Sequence, residues 1–464
     1  MMFHNTLKNK KIHFIGVSGS GMVGICQFLS DLNICKLTGS DLTKSKAVKN
    51  LIDKGLIFFN EHKEENIKDA DIVIYSGAIP ENNIERATAK KLNIKCFHRA
   101  TFLVNLMQDF KNRISIAGTH GKTTSTGMLI HIFTDAVINP SFCLGGELNI
   151  EKVNGKFQSD QTFIVESDES DGTFLEFKPN YTIVTNVECD HMNFFKSEEQ
   201  LYKNFLKFMK QSVEENGFLA LNKDDAWLSS KKKFLKNPNI WTFSTFQKAT
   251  CEARNITFTE FGGQFDLYYK DNFVDNISLR CFGMHNIYNA LGVCCISLKY
   301  GIAIKSIKNG LLNFNGVKRR LQFIGNCKGI KIYDDYGHHP TAIKTTLKGL
   351  KSSVNSSLIC VFQPHRYSRT LELMEDFSKA FEYADKVIIT DIFSANETNT
   401  NNVTSEHMVN LVKKQNNKTV FYVKDKSDVI PLLSKESKKG DVIVTMGAGD
   451  IHSILEPLVE ALNK

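Results

Sequence analysis

One short stretch, Gly118-Thr119-His120-Gly121-Lys122-Thr123-Thr124, has the residue types that hold a phosphate chain. The usual phosphate loop reads G-x-x-x-x-G-K-[ST]. Here only two residues separate Gly118 from Gly121, so the loop is two residues shorter. Its working parts are kept: an apolar run at 114–117 leads into a glycine turn, and the pattern predicts a helix from Lys122. Such a joint aims backbone N–H groups and the positive end of the helix dipole at an anion. Lys122 can reach the β and γ phosphates of a triphosphate. Thr123 can offer a hydroxyl to Mg²⁺, a hard cation that takes oxygen ligands.

Two acidic stretches follow. "TFIVESDESD" puts Glu166 at the end of a predicted strand, and "TIVTNVECDHMNFF" delivers Asn186, Asp190 and His191 beyond another. In nucleotide-binding α/β sheets ligands sit past the carboxyl ends of the strands. Thr123, Glu166 and His191 are therefore the candidate metal ligands, although a strand-end Glu or a lone His is as often structural. Near the start, "GVSGSGMVG" supplies Gly16, Gly19, Gly21 and Gly24 between a strand and a helix, with Asp41 about twenty residues on. The pattern G-x-x-G-x-G departs from the dinucleotide fingerprint G-x-G-x-x-G. Arginine is scarce, nine of 58 basic residues, and four of the nine fall in "VKRRLQ" and "HRYSRT". Clustering of so rare a side chain marks an anion clamp, because the guanidinium fork binds carboxylate and phosphate in a bidentate way.

The elements that must position these residues alternate between short apolar runs and helical patterns. Strands are predicted at 11–17, 71–76, 112–118, 162–167, 181–187, 217–222, 357–362, 385–390 and 440–446. That alternation predicts an α/β chain with parallel, doubly wound sheets. Three blocks emerge, 1–107, 108–312 and 313–464, with antiparallel hairpin material in "ITFTEFGGQFDLYYK". No apolar run approaches the ~18 residues of a membrane span, and the start has no signal-peptide pattern. Eleven scattered cysteines without a C-x-x-C pair suggest reduced thiols rather than zinc or disulfides. The net charge of +8 is spread-out lysine, not basic runs interleaved with aromatics. The expectation is a cytoplasmic protein with small-molecule partners, no nucleic acid and no membrane, as a monomer or homodimer.

In order, G-T-H-G-K-T-T, E-S-D-E-S-D and T-N-V-E-x-D-H-M resemble the Mur ligases, the ATP-dependent amide ligases of peptidoglycan synthesis. "FGMHNIYNALG", "NGVKRRLQFIG", "YDDYGHHPTAI" and "FQPHRYSRT" are similar to the family's later segments. The resemblance spans essentially the whole chain. It implies a Rossmann-like N-terminal domain for the UDP substrate, a P-loop-type central ATP-binding domain and a Rossmann-like C-terminal domain. It also implies ATP and Mg²⁺ as cofactors, and L-alanine joined to the lactyl carboxylate of UDP-N-acetylmuramate through an acyl phosphate. ATP would lie against Gly118, Thr119, His120, Gly121, Lys122, Thr123 and Thr124, with Asn286, Asn289, Arg320, Asp335 and Tyr336 contributing. Lys122, His191, His338, Arg366 and Arg369 would serve catalysis, and His191 would hold a second metal. Gly16, Ser18, Gly19, Gly21, Asp41 and Ser76, in "YSGAIP", would face the UDP moiety. Three departures stand out: Ser18 replaces a common glycine, "DIFSANE" at 391–397 replaces a Tyr-Pro-Ala-containing segment, and "FHRATFL" replaces a more basic, Glu-containing one. A related ligase that attaches a whole peptide to the same sugar nucleotide, and more distantly an NAD(P)-dependent dehydrogenase, remain as alternatives.

Overall fold

The computed structural model describes residues 2–149, 151–259, 262–351, 354, 356–395, 397–416 and 419–463. Its contacts gather into two units. The first holds Met1–Ile256, Gln264–Arg280 and Ile287–Asn315; the second holds Thr257–Gly263, Cys281–Asn286 and Gly316–Lys464.

The first unit opens with a parallel sheet of β1 (Lys11–Ile15), β2 (Lys36–Ser40), β3 (Ile57–Phe59), β4 (Ile72–Tyr75) and β5 (Lys95–His98) in the order β3-β2-β1-β4-β5. The order reverses direction between β1 and β4, so the crevice of this sheet lies beyond Ile15 and Tyr75. Next come β6 (Asn112–Ala117), β7 (Ser141–Cys143), β8 (Gly155–Lys156), β9 (Thr162–Glu166), β10 (Tyr181–Val184), β11 (Phe218–Asn222), β12 (Ile240–Ser244), β13 (Cys251–Thr259), β14 (Gly262–Tyr269) and β15 (Asn272–Ser278). They form a sheet ordered β15-β14-β13-β12-β11-β10-β6-β9-β7-β8, in which β6 pairs in parallel with both β9 and β10. The chain leaves β6 toward one side and later returns to the other, which makes its carboxyl end the switch point.

The helix Ser20–Leu32 ties the two sheets together. Its Phe28 ring meets Phe110, Phe157 and Phe163 at 6.3, 5.4 and 5.5 Å, edge-on contacts worth about 0.5–1.5 kcal/mol each beyond burial. Gln27 Oε1 accepts from Asn154 N and Gly155 N at 2.7 and 3.1 Å. A Cβ on Gly155 would overlap the Gly24 carbonyl. Gly24, part of the N-terminal glycine cluster, thus serves close backbone packing.

The second unit is built on β16 (Gln322–Cys327), β17 (Ile330–Asp335), β18 (Leu358–Phe362), β19 (Lys386–Thr390), β20 (Thr419–Val423) and β21 (Val442–Met446), ordered β16-β17-β21-β18-β19-β20. Only β16 pairs antiparallel. Side chains alternate across a strand: Leu358, Cys360 and Phe362 enter one buried cluster, and Ile359 and Val361 the other. Both faces are covered, which is why this strand reads as an unbroken apolar run.

Every predicted strand is present, each trimmed by one to three residues. Several others were not predicted, among them β2, β3, β5, β12 and β20. The expected hairpin material holds β13 and β14, with residues 260 and 261 outside the described set. The antiparallel turn proper joins β14 to β15 through Lys270 and Asp271, both at positive φ. The eleven thiols are free; Cys96 and Cys189 are exposed and the rest buried or partly so. Among the described residues no helix is long and apolar enough to cross a membrane.

Candidate active site

The turn after β6 is fixed by its neighbour across the switch point. Pairing of Ala117 with Val184 brings Thr185 and Asn186 alongside the loop. Thr119 N donates to Asn186 O at 3.1 Å. His120 N donates to Asn186 Oδ1 at 2.9 Å, and Asn186 Nδ2 returns a bond to His120 O at 3.0 Å. Thr185 Oγ1 donates to the same carbonyl at 2.6 Å. Thr119 Oγ1 donates to Glu188 O and accepts from Glu188 N at 2.9 Å. Gly118 sits at φ +127, and a Cβ there would overlap Thr185 Oγ1. Gly121 sits at φ +86, and a Cβ there would overlap Asn289 Oδ1, so the buried Asn289 flanks the turn.

The helix Lys122–Asp135 begins where the loop pattern predicts, with Gly121 as a cap that offers no side-chain hydrogen bond. Its first turn carries the backbone donors an α-helix leaves without helical partners. Thr123 is buried in that turn and Thr124 is half-buried. Lys122 folds back over the loop: Nζ donates to Gly118 O at 2.6 Å and Thr119 O at 3.3 Å. It also meets both oxygens of Glu169, at 3.0 and 2.7 Å.

Glu169 was not among the residues chosen from sequence, yet it is fully buried and its Oε1 lies 3.9 Å from His191 Nε2. Burial pushes its carboxyl up to about 7, against the pull of Lys122 and with a further push from Asp168. Burial also opposes the Lys122 ammonium, but the charges of Glu169 and Asp168 outweigh it and hold Lys122 above its ordinary value. Asp168 is likewise opposed by burial, and Arg99 and Lys122 overcome that to hold it well below the usual carboxylate range. Arg99 Nη2 donates to Asp168 Oδ2 at 2.8 Å. Its Nη1 lies 3.1 Å from where a Cβ on Gly21 would stand. Arg99 therefore reaches from the first sheet's glycine turn to the acidic stretch after β9.

Glu166 ends β9 in register with Ile116. Its Oε2 is buried with no hydrogen-bond partner, an arrangement that costs free energy unless a cation or water completes it. His191 adopts φ +58 as the cap of the short helix Met192–Phe195, with Nε2 3.7 Å from Asp190 Oδ2.

At the first sheet, Gly16 turns at φ +80, and Gly16 N and Val17 N donate to Ser40 O at 2.9 and 3.1 Å. Ser18 N donates to Asp41 Oδ2 at 2.9 Å, and Ser18 Oγ to Thr43 O at 2.6 Å. Gly19 caps the helix Ser20–Leu32, again without a side-chain bond. Ser76 N donates to Ile15 O at 3.1 Å, and its Cβ lies 3.3 Å from where one on Gly16 would stand. Gly16, Ser18, Gly19, Asp41 and Ser76 thus gather around the turn at the carboxyl end of β1.

In the second unit Asp335, Tyr336 and His338 end or follow β17, Arg366 and Arg369 follow β18, and Arg320 precedes β16. Asp335 is buried and already committed, its Oδ2 accepting from Leu321 N and Oδ1 from Gly337 N, both at 2.7 Å. Burial pushes its carboxyl up to about 6. Arg319 and Arg320 both lie over the Tyr336 ring, at 5.0 and 5.1 Å. His338 Nδ1 sits 3.0 Å from Tyr336 O. Arg366 takes φ +72 and its N donates to Phe393 O at 2.8 Å. Arg369 Nη1 lies 3.4 Å from Nδ1 of His365, a ring stacked on Phe393. Burial and the two arginines push His365 down to about 4, so it is neutral at pH 7. Asn286 Nδ2 donates to Phe282 O at 2.8 Å, an anchor near the start of the helix Met284–Tyr300.

Known proteins place the geometry in context. Residues 11–111 match the model described as Mur ligase family, catalytic domain, 116–297 the Mur ligase middle domain, and 319–449 the Mur ligase glutamate ligase domain. A UDP-N-acetylmuramate–L-alanine ligase of Acetivibrio thermocellus is 39% identical over 97% of this chain and 95% of its own. One of Clostridium novyi is 36% identical over 99% of this chain and 100% of its own. The crystal structure of a UDP-N-acetylmuramate–alanine ligase from Thermotoga maritima superposes with a TM-score of 0.84 at 25% identity, covering 97% of this chain and 99% of that one.

Proposed function

The chain belongs to the Mur ligase family, and we propose that it joins L-alanine to the lactyl carboxylate of UDP-N-acetylmuramate, driven by ATP, in the making of peptidoglycan precursors. The carrying observation is Lys122 folded over a stapled glycine turn at the carboxyl end of β6 and held by Glu169, which lies 3.9 Å from His191. The domains are divided at 107/108 and 312/313, and the setting is the cytoplasm.

A carboxylate does not acylate an amine, because its oxygen is a poor leaving group. The lactyl oxygen attacks the γ-phosphorus of ATP and ADP leaves, which gives an acyl phosphate. The alanine nitrogen then attacks the acyl carbon, and the tetrahedral intermediate expels inorganic phosphate as the amide forms. The first step brings two anions together, so it needs fixed positive charge aimed at the transferring group. Lys122 and the N–H groups of Gly121–Thr124 supply it from this chain, while Asn286 and Asn289, the latter flanking the same turn, serve the nucleotide. Thr123 and the unpartnered carboxylate oxygen of Glu166 are hard donors that fit Mg²⁺, which would neutralise phosphate charge when bound. His191 would hold a second ion, which would neutralise further charge when bound. Gly16, Ser18, Gly19, Gly21, Asp41 and Ser76 hold the UDP moiety. In the second unit Arg320 and Tyr336 serve the nucleotide, and Arg366, Arg369 and His338 serve the amino acid and the acyl phosphate. Asp335 acts through the backbone it holds.

Phosphate release by Lys122→Ala with UDP-N-acetylmuramate, L-alanine and ATP tests the reading. Turnover should fall below detection; a substantial residual rate refutes the role of Lys122. The same assay across the twenty amino acids separates an alanine ligase from one that attaches a peptide.

A further inference from the structure

The first sheet carries a buried polar cluster that the chemistry above does not use. Glu85, on the helix Ile84–Lys91, is fully buried. Its Oε2 accepts from Ser40 Oγ at 2.5 Å and lies 2.8 Å from His62 Nδ1. Its Oε1 accepts from Asn66 Nδ2 at 2.7 Å and lies 3.6 Å from the Nε2 of His13, also fully buried. His13 in turn reaches Thr38 Oγ1 at 2.8 Å and Ser40 Oγ at 3.3 Å. One carboxylate thus gathers β1, β2 and the segment after β3.

An ionised group in such a place is costly unless fully hydrogen-bonded. Burial opposes the charge, but the nearby His13 and the bond from Ser40 outweigh it and hold the carboxyl down at about 2. The cluster's outlet is Ser40. Its side chain is tied to Glu85, its carbonyl takes the N–H groups of Gly16 and Val17, and the next residue, Asp41, receives Ser18 N.

We infer that Glu85 is a positioning residue for the UDP-binding turn, acting through Ser40 to fix Gly16–Ser18 and Asp41 without touching the substrate. The inference rests on the reading of that crevice as the UDP site. A missing link lets the turn relax in the free protein, so nucleotide binding must order it again. A role confined to stability would lower the melting temperature and leave substrate constants alone.

Calorimetric titration of UDP into the full chain, with KM for each of the three substrates, tests this on Ser40→Ala, Glu85→Gln and the double variant. Ser40→Ala leaves Glu85 its partners His62 and Asn66, so it keeps a measurement available if Glu85→Gln folds poorly. Each single change should weaken UDP binding about tenfold and raise KM for UDP-N-acetylmuramate alike, with KM for ATP unchanged. The double variant should be about tenfold weaker as well, not a hundredfold, because both changes cut one chain of bonds. UDP binding that neither folded variant alters, or effects that multiply, overturns the inference alone. A wild-type chain that does not bind UDP overturns the reading of the crevice and the inference with it.

Discussion

Gly118→Ala tests the loop geometry without touching a charge. Gly118 lies at φ +127, a region essentially closed to other residues, and strain of this kind costs about 1–3 kcal/mol. The added methyl would also overlap Thr185 Oγ1 and stand 3.0 Å from Thr185 N and Asn186 O, backbone atoms of the strand exit that cannot swing away. Displacing Thr185 breaks its 2.6 Å bond to His120 O, worth about 1 kcal/mol net. The sum, roughly 2–4 kcal/mol, corresponds to a loss of about thirtyfold to several hundredfold in affinity for a ligand that needs the native turn. ATP titration by calorimetry, with KM for ATP and a melting curve, reads it. Thr185→Ala in the same chain removes the overlapping oxygen but not the backbone strain, so it should restore only part of the affinity. Wild-type ATP affinity and melting temperature in Gly118→Ala would refute the claim that the turn needs a glycine.

Asn186→Ala removes both bonds to the His120 backbone and should raise KM for ATP about thirtyfold, since two part-buried backbone groups each lose a partner worth ~1 kcal/mol; steady-state kinetics at saturating UDP-N-acetylmuramate reads this. Arg369→Lys should raise KM for alanine while leaving ATP binding intact, because an ammonium cannot replace the planar fork; equal alanine constants count against it. Glu85 gives a pH signature in stability. Its carboxyl titrates at about 2 when folded against 4.5 when free, so it contributes roughly 3 kcal/mol that is complete above pH 4.5 and lost as pH falls through 2. Denaturant titrations from pH 7 to 2 should therefore show a shallower acid loss in Glu85→Gln, from a lower starting stability; parallel curves contradict the assignment.

The candidate site is legible where its residues sit on the chain's own punctuation. Gly118, Gly121, Lys122 and Thr123 declare themselves because the turn and the helix start need those residues at that spacing. Glu166 and His191 follow from being at or just past strand ends. Glu169 was missed although it stands three residues from Glu166 in the same acidic run. Nothing in one sequence says which of four acids turns inward; only the tertiary contact with Lys122 decides it. Arg99 was not chosen either, because its bond to Asp168 spans 69 positions. Strand β2, "KLTGS", escaped because its buried side chains include Thr38 and Ser40, and hydrophobic periodicity does not register a strand whose inner face serves a polar network. Asp335 was chosen as an ATP contact from its residue type and neighbours; that each of its oxygens also accepts a backbone N–H group of its own unit is a tertiary detail that spacing does not show.

The central claim is that the γ-phosphorus of ATP, held at the 118–124 turn, is handed to the substrate's carboxylate before the amide forms. Oxygen tracing tests it most directly. UDP-N-acetylmuramate labelled with ¹⁸O in both lactyl carboxylate oxygens is turned over with ATP and L-alanine, and the released phosphate is weighed by mass spectrometry. One labelled oxygen in each phosphate, with the other retained in the amide, is the result expected. Amide product accompanied by unlabelled phosphate would contradict the account.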